Sequence, residues 1–561
     1  MGQKSFRAYA LCGAMIAVIS GSAQSQTVTE AEALQGQRKG PVSVNNASGN
    51  LVPVARPPVE RARDLYRRGR LDEAEHELES VIRDEPASVL SYVALTQVYL
   101  RHHKVEAAYK LAAKAIEMEP SLDAAHTALG EVYFRQGKLH EAEKEFMQLV
   151  KAGTREARAY LGLGTLYWSA AFYKHAKAML DRAYALDPGD PDVRRAWVDS
   201  LMPNERTKAL QSYLSAGIEG SDRDRFERQL TILRSTTGLT GSSCRLATDP
   251  AATDTPLIPL THDSLAITAF ALPVALNDTQ GKFKLDTGAS GLLVSKRLAD
   301  KSAIKRITDV PIRGVGDTSE TKGYIGKAGS IKVAGLEFKD CYVTVIDKSS
   351  VLGEDGLIGA DVFSSFLIDI DFPGARFKLS KLPDRPGEPV QTASLESGAG
   401  PSSGYFDKYT APEMKSFTPF FRFAHLLLIQ TLLNDSVKKL FLLDTGSYSN
   451  SVSLATASEL ITVSRDGDSK LKGFNGDVKG AFRAGRIMIQ FGGFKQLNEN
   501  MMAIDTTRIS DSVGTNVSGI LGLSLLHLLD IKIDYRDGII DFQYKPNPSP
   551  PEAAGELSKS Q

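Results

Sequence analysis

Two short segments of the chain place an aspartate, a threonine and a glycine after a mainly apolar run. Asp286-Thr287-Gly288 follows residues 283–285, and Asp444-Thr445-Gly446 follows residues 441–443. A strand that ends in this way holds a carboxylate on a rigid element, and glycine lets a second backbone come close. Two carboxylates held side by side do not both ionise easily. One can therefore accept a proton from water while the other, protonated, supports a substrate carbonyl.

The surroundings of the two motifs are also duplicated. Leu357-Ile358-Gly359 lies downstream of the first motif, and Ile520-Leu521-Gly522 lies downstream of the second. The interval from the motif aspartate to the last of these glycines is nearly the same in the two halves. A lone Asp-Thr-Gly is an ordinary turn, but two copies with matching surroundings predict two homologous lobes.

These motifs resemble the aspartic peptidases of the pepsin and retropepsin type, over roughly residues 258–548. The resemblance implies two all-β acid-protease-like barrel lobes that hydrolyse peptide bonds, with no metal and no cofactor. It also implies a role for each residue of the motifs: Asp286 and Asp444 form the catalytic dyad, and Thr287, Gly288, Thr445 and Gly446 support it. Flaps are expected in the hairpins around Tyr324 and around Gly480–Gly485, with Tyr324 as a candidate flap tyrosine.

Two other interpretations remain open at this point. The lobes could hold peptides without turnover, as a binding or scaffold protein of the cell envelope, because a fold does not imply a function. Alternatively, each lobe could pair with its counterpart in a homodimer. Turnover separates the first alternative from a peptidase, and the approach of Asp286 to Asp444 within one chain bears on the second.

The N-terminal half contains an internal repeat with a constant interval. A small residue at a fixed place lets two helices approach closely, and proline ends the second helix of each unit. The residues at this interval are Ala74, Ala108, Ala142 and Ala176, with Pro86, Pro120 and Pro188 in the same frame. Because a helix pair cannot bury its apolar face alone, the units must stack into a solenoid.

This repeat resembles the tetratricopeptide repeat, whose period is about 34 residues, on the sequences of residues 69–86, 104–120 and 137–153. About four repeats fill residues 53–188, and the helical stretch that follows is expected to cap the stack. Such solenoids usually bind a peptide or a protein in a groove, although some are spacers. The resemblance therefore implies a protein or peptide substrate recruited by the repeats, or a protein partner bound in the repeat groove.

The first residues have the pattern of an export signal. Lys4 and Arg7 precede a short apolar run at 8–19, and small residues at 21–23 suit signal cleavage. The run is shorter than the roughly 20 residues that a membrane span needs. We therefore predict a cleaved signal and a periplasmic or extracellular protein without a membrane span, with an uncleaved anchor as the alternative.

Composition excludes some partners. Lysine plus arginine equals aspartate plus glutamate at 67 each, which argues against nucleic acid. The nine histidines form no metal-like cluster in the sequence. Asp369 and Asp371 share one face of a predicted strand, where a solvated pair is the ordinary interpretation. An oxidising compartment would permit a bridge between Cys244 and Cys341, but the sequence does not show that they meet.

The predicted organisation is an all-α solenoid followed by two all-β lobes. The boundaries are a signal peptide at 1–23, a leader at 24–57, the solenoid at 58–234, a linker at 235–257, lobe 1 at 258–382, a linker at 383–410, lobe 2 at 411–548 and a tail at 549–561.

Overall fold

A computed structural model gives the fold of the chain. It describes residues 6–7, 43–45, 51–53, 57–216, 221–237, 245–248, 252–261, 267–312, 321–346, 355–386, 407–461, 463–465, 471–473, 476–478 and 482–545. Most of the predicted signal peptide, of the leader and of the linker at 383–410 lies outside these residues, as do the tail and Gly480, whereas more than half of the linker predicted at 235–257 is described. None of the described helices is long and apolar enough to cross a membrane.

The N-terminal region is a series of antiparallel helix pairs. Its helices are α1 (Pro58–Arg67), α2 (Leu71–Asp84), α3 (Val89–Arg101), α4 (Val105–Met118), α5 (Asp123–Arg135), α6 (Leu139–Lys151), α7 (Ala157–Ser169), α8 (Tyr173–Leu186), α9 (Pro191–Ser200), α10 (Pro203–Ser215) and α11 (Ser221–Thr237). The first eight form four pairs, and the remaining three continue the stack. The predicted solenoid is confirmed.

The repeat interval places equivalent residues at equivalent points of each pair. Ala74, Ala108, Ala142 and Ala176 all lie in second helices and are completely buried. A larger side chain there would push the paired helices apart. The connection inside each pair turns through a left-handed residue at the same interval, and this position is glycine in two pairs, at Gly69 and Gly137, but His103 and Ala171 in the others.

The C-terminal region is built from β-strands. Up to its midpoint these are β4 (Arg245–Leu246), β5 (Ala252–Pro256), β6 (Ile258–Thr261), β7 (Ile267–Leu276), β8 (Thr279–Asp286), β9 (Leu292–Ser295), β10 (Lys305–Ile312), β11 (Thr321–Val333), β12 (Leu336–Ile346), β13 (Gly356–Gly359), β14 (Phe366–Asp371) and β15 (Arg376–Lys381), with helix α12 (Lys296–Lys301) after β9. Three short strands precede the solenoid: β1 (Phe6–Arg7), β2 (Ser43–Asn45) and β3 (Leu51–Pro53).

The remaining strands form lobe 2. They are β16 (Thr418–Phe423), β17 (Leu426–Leu433), β18 (Val437–Leu443), β19 (Ser451–Ser453), β20 (Val463–Arg465), β21 (Leu471–Gly473), β22 (Gly476–Val478), β23 (Phe482–Ala484), β24 (Ile487–Phe491), β25 (Phe494–Asn498), β26 (Met501–Ile504), β27 (Gly519–Leu521), β28 (Leu529–Asp534) and β29 (Ile539–Tyr544). Helices α13 (Leu454–Leu460), α14 (Thr507–Val513) and α15 (Leu523–Leu526) lie between them.

Both lobes use the same strand arrangement around their Asp-Thr-Gly segments. In lobe 1, β8 pairs antiparallel with β7 and parallel with β13, and β9 pairs antiparallel with β13 and parallel with β12. In lobe 2, β18 has the same relation to β17 and β27, and β19 has it to β27 and β26. The duplicated sequence marks therefore occupy duplicated positions.

One sheet, the interlobe sheet, joins the two lobes. Its order is β16-β29-β28-β14-β15-β5. The central contact is antiparallel, with Ile368 of β14 opposite Ile533 of β28. Because the last strands of each lobe pair with each other, this sheet fixes the lobes side by side within a single chain.

The solenoid packs directly on lobe 2. Apolar side chains from α6 and α7 share one buried cluster with side chains from β17, β18 and β27. Around this cluster, the ring of Phe134 lies 6.2 Å from that of Phe423, and the backbone N–H of Asn516 donates to the carbonyl of Arg135 at 2.9 Å. His103 also pairs with Asp511 at 2.6 Å. The helical and β regions therefore form a continuous interior.

Cysteine chemistry links β12 to another part of the chain, because Cys341 is completely buried and disulfide-bonded. Arg245, the residue after Cys244, pairs with Lys339 across β4 and β12. This register brings β4 beside the strand that carries Cys341, and Cys244 itself lies outside the described residues.

Candidate active site

The two Asp-Thr-Gly segments meet at the junction of the lobes. Thr287 and Thr445 are both buried, and each hydroxyl accepts a hydrogen bond from the other threonine's backbone N–H at 3.0 Å. Each hydroxyl also donates across the junction, Thr287 to the carbonyl of Leu443 at 2.8 Å and Thr445 to that of Leu285 at 3.1 Å. Four reciprocal hydrogen bonds therefore lock the ends of β8 and β18 together.

This lock brings the two carboxylates against each other, as a dyad within one chain requires. A Cβ atom built on Gly288 would lie 2.9 Å from Oδ1 of Asp444, and one built on Gly446 would collide with the Asp286 carboxylate. Only glycine leaves room for the opposite carboxylate at these two positions. Each aspartate also accepts its own motif's backbone N–H, from Gly288 at 2.8 Å and from Gly446 at 2.9 Å.

The electrostatics of this carboxyl pair (Asp286 and Asp444) differ from those of exposed aspartates. Burial, reinforced by the neighbouring Asp286 carboxylate, raises the pKa of Asp444 to about 7. Lys284 and the backbone N–H of Gly446 act in the opposite direction. The pair therefore retains a proton well above the pH at which an isolated aspartate has lost it.

Lys284 is a site residue that the sequence analysis did not single out. Alternation along β8 puts it on the same face as Asp286, and its Nζ donates to the carbonyl of Gly446 in the other lobe at 2.6 Å. The available signal was a cationic side chain two residues before the aspartate, where lobe 2 has Leu442.

His425 also reaches this junction. It lies in the turn between β16 and β17, and its Nε2 donates to the carbonyl of Gly288 at 3.1 Å. Burial lowers the pKa of His425, and Asp361 and Asp286 oppose that shift. On the lobe 1 side, Asp361 accepts from the Ser290 hydroxyl at 2.8 Å and so holds the segment that follows the first motif.

The predicted flap hairpins are present in part. In lobe 1, β10 and β11 form an antiparallel hairpin with Asp309 opposite Tyr324. Tyr324 is half-buried, lies against the core of the lobe and has the Arg306 guanidinium 4.8 Å from its ring centroid. In lobe 2, β20 pairs with β23 and β21 with β22, and Gly485 follows β23. The segments that join β10 to β11 and β22 to β23 lie outside the described residues.

The solenoid borders the face of lobe 2 from which Asp444 projects. Leu440 and Leu442 alternate onto the same face as Asp444, and Ile520 lies beside Leu442 in the parallel register of β18 with β27. Leu442 is 1% exposed and Ile520 7%, because both pack in the cluster with α6 and α7. The equivalent face of lobe 1 carries Lys284 instead.

Part of lobe 1 is similar to a known protein family. Residues 272–362 match the family model for aspartyl protease. The matched segment contains Asp286, Thr287, Gly288 and the hairpin with Tyr324, whereas lobe 2 lies outside it. Residues 59–123 and 127–191 match the tetratricopeptide repeat. The chain therefore carries an aspartyl protease region behind tetratricopeptide repeats, as the sequence motifs predicted.

Among solved structures, the chain is similar to a thermophilic tetratricopeptide-repeat protein of Thermus thermophilus. The identity is 23%, and the match covers 31% of this chain and 96% of that one, with a TM-score of 0.26. A score this low supports no inference about function. No curated protein matches the chain.

A second group of carboxylates lies in the interlobe sheet, away from the aspartyl protease motif. Asp371 is buried, and the Lys545 ammonium lies 2.8 Å from it and 2.6 Å from Asp530. Burial and Asp530 raise the pKa of Asp369 to about 6. The expectation that Asp369 and Asp371 form a solvated pair is therefore wrong, because β28 packs beside β14 and removes water. No group of His, Cys, Asp and Glu in the described residues is arranged to hold a metal ion.

Proposed function

We propose that the chain is an aspartic endopeptidase in which Asp286 and Asp444 form one catalytic dyad. The observation that carries this proposal is the junction of the lobes. Reciprocal threonine hydrogen bonds bring the two carboxylates together, and each motif glycine leaves room for the opposite carboxylate. A carboxyl pair that retains one proton combines a general base with a general acid.

Hydrolysis on this geometry needs only the pair and a water molecule. The ionised carboxylate takes a proton from water as the water oxygen attacks the peptide carbonyl. The protonated carboxyl donates to the carbonyl oxygen, which becomes the tetrahedral oxyanion. The carboxyl that took the proton from water then gives it to the amide nitrogen, the C–N bond breaks and the amine leaves, and the pair again holds a single proton. Because the pKa of Asp444 is raised to about 7, we expect activity to extend from acidic pH towards neutrality.

The test is turnover of a mixed peptide library from acidic to neutral pH. The native chain is compared with Asp286→Asn and with Asp444→Asn. Asp300→Asn is the control, because it removes an exposed carboxylate on α12 of lobe 1. Loss of cleavage in both dyad variants and its retention in Asp300→Asn would support one shared dyad. A native chain that binds library peptides and cleaves none of them would favour the peptide-binding alternative.

We also propose that the tetratricopeptide repeats recruit the protein substrate or a partner. Part of the solenoid is occupied by its own buried ion pairs, in which Arg158 pairs with Glu131, Asp190 and Asp192 at 2.6–3.1 Å. The α6–α7 side is taken by lobe 2. We place the proposed surface on the first two repeats, which make no part of the cluster with lobe 2 and in which Leu90 is 43% exposed. Leu90→Glu should raise KM for a protein substrate and leave cleavage of short peptides unchanged, whereas equal KM values would place recruitment elsewhere.

Export is part of the proposal. It is supported by the signal pattern at residues 1–23 and by the disulfide at Cys341, a bond that persists in oxidising compartments. Cell fractionation and N-terminal sequencing of the mature chain provide the test. A chain that stays in the cytoplasm with the segment 1–23 still attached would refute export.

A further inference from the structure

The two halves of the carboxyl pair differ in one charge. Lys284 and Leu442 occupy equivalent places, two residues before Asp286 and Asp444 respectively. Lys284 is half-buried on the face of β8 that carries Asp286. Leu442 is buried under the solenoid, so lobe 2 supplies no second cation at the matching position. At this matched position the described residues therefore place a cation beside Asp286 and an apolar side chain beside Asp444, while His425 reaches the junction from the turn before β17.

The lysine is also held in place across the junction. Its Nζ donates to the carbonyl of Gly446 at 2.6 Å, and the backbone N–H of Gly446 donates to Oδ1 of Asp444 at 2.9 Å. One peptide segment thus carries both the contact with the ammonium group and the contact with the carboxylate. An ammonium group that is held beside a partly buried carboxylate by a shared peptide segment favours the ionised form of that carboxylate.

We propose that Lys284 is a positioning residue of the carboxyl pair: its ammonium group, anchored on the Gly446 carbonyl, keeps one carboxylate of the pair ionised at lower pH. This inference rests on the proposed function for its effect on catalysis, but it also concerns the titration of the pair in the free protein. Burial and Asp286 raise the pKa of Asp444, and Lys284 limits that rise.

The consequence for activity follows from the protonation states. A pair with both carboxyls protonated has no base, so activity falls on the acidic side when the second proton binds. Removal of a cation raises the pH at which that proton binds. Without Lys284, the acidic limb of the profile of kcat/KM against pH should therefore move up by about one pH unit.

Three substitutions separate charge from hydrogen bonding. Lys284→Leu copies lobe 2 and removes both, Lys284→Gln retains an N–H donor without the charge, and Lys284→Arg retains both. Lys282→Leu is the matched control, because it removes the same charge from the same strand two residues further from Asp286. That position is exposed, and its Cα is roughly 13 Å from that of Asp286 along the strand, beyond the distance at which salt screens charges.

The measurement is made twice, with and without substrate. The kcat/KM profile is recorded for each variant, and the carboxyl pair is titrated in the free protein by 13C NMR of labelled aspartates, assigned with Asp444→Asn. We expect upward shifts in Lys284→Leu and Lys284→Gln, and none in Lys284→Arg or Lys282→Leu. An unchanged midpoint in Lys284→Leu overturns the inference, and so does a shift in Lys284→Leu that is absent in Lys284→Gln.

The two proposals fail in different ways. If the native chain cleaves no peptide, the proposed peptidase fails, yet the substrate-free titration still decides the role of Lys284. If cleavage occurs but Lys284→Leu and Lys284→Gln lose activity equally at every pH, the lysine is structural. If Lys284→Leu does not fold, Lys284→Gln and Lys284→Arg still compare a neutral donor with a charged donor at this position.

Discussion

Substitution of Asp444 by asparagine should make the protein more stable at neutral pH while it removes the proposed activity. Burial and Asp286 raise the pKa of Asp444 from 3.8 to about 7. An unfolded chain ionises this group near pH 4, whereas the folded chain retains the proton. The raised pKa therefore means that folding stability falls as the pH rises from about 4 to about 7.

The magnitude follows from the size of that shift. About three pH units at roughly 1.4 kcal/mol each set an upper limit of about 4 kcal/mol on the destabilisation above pH 7. Asparagine is neutral at every pH, and its Oδ1 can still accept the N–H groups of Gly446 and Ser447. We expect Asp444→Asn to equal the native chain near pH 4 and to exceed its free energy of unfolding by about 2–4 kcal/mol at pH 8.

Urea unfolding between pH 4 and pH 8 checks this expectation. The transition of the β region should be followed separately, since a chain with several folded parts need not unfold in one step. Asp300→Asn, on an exposed surface, should show no such pH-dependent gain. A stability difference between Asp444→Asn and the native chain that does not change with pH would refute the claim that the fold holds a proton on the pair.

Three further predictions concern the parts that position the pair. Thr287→Val should destabilise the chain by about 1–3 kcal/mol, because it leaves the buried N–H of Thr445 without an acceptor, whereas Thr287→Ser should not, as urea unfolding would show. Phe146→Ala should lower the free energy of unfolding by about 3–5 kcal/mol. It should also speed amide exchange in residues 437–443, whereas Leu78→Ala, in a cluster of the first repeats, should not. Cys341→Ser should lower the free energy of unfolding by about 2–5 kcal/mol. A reductant should lower the stability of the native chain by the same amount and leave that of the variant unchanged.

Much of the site was predictable because its motif and the surroundings of that motif occur twice in the sequence. Asp286 and Asp444 each follow an apolar run and each precede, at nearly the same interval, a glycine after two apolar residues. This repetition predicted two equivalent arrangements. The constant interval of the helical repeat predicted the solenoid for the same reason. A small residue such as Ala142 recurs wherever two paired helices must approach closely. Periodicity within a segment is a local property, so a single sequence displays it.

The contacts between segments were not predictable in this way. The sequence around Leu442 indicates an apolar strand, and nothing near it in the sequence shows that α6 and α7 cover this side chain. His425 and Asp371 are similar cases, since their partners, Gly288 and Lys545, lie far from them along the chain. A partner that distant fixes the environment of a side chain only after the fold has brought the two together.

The difference between Lys284 and Leu442 bears on how the lobes must pair. Two copies of lobe 1 would place two lysines beside the carboxylates, and two copies of lobe 2 would place none there. A single chain supplies one lysine, and its solenoid covers the matching position on the other side. The pair therefore has two unlike sides, one flanked by a cation and one by an apolar wall. A peptide also has two unlike directions, so this arrangement gives the site a physical basis for preferring one orientation of its substrate.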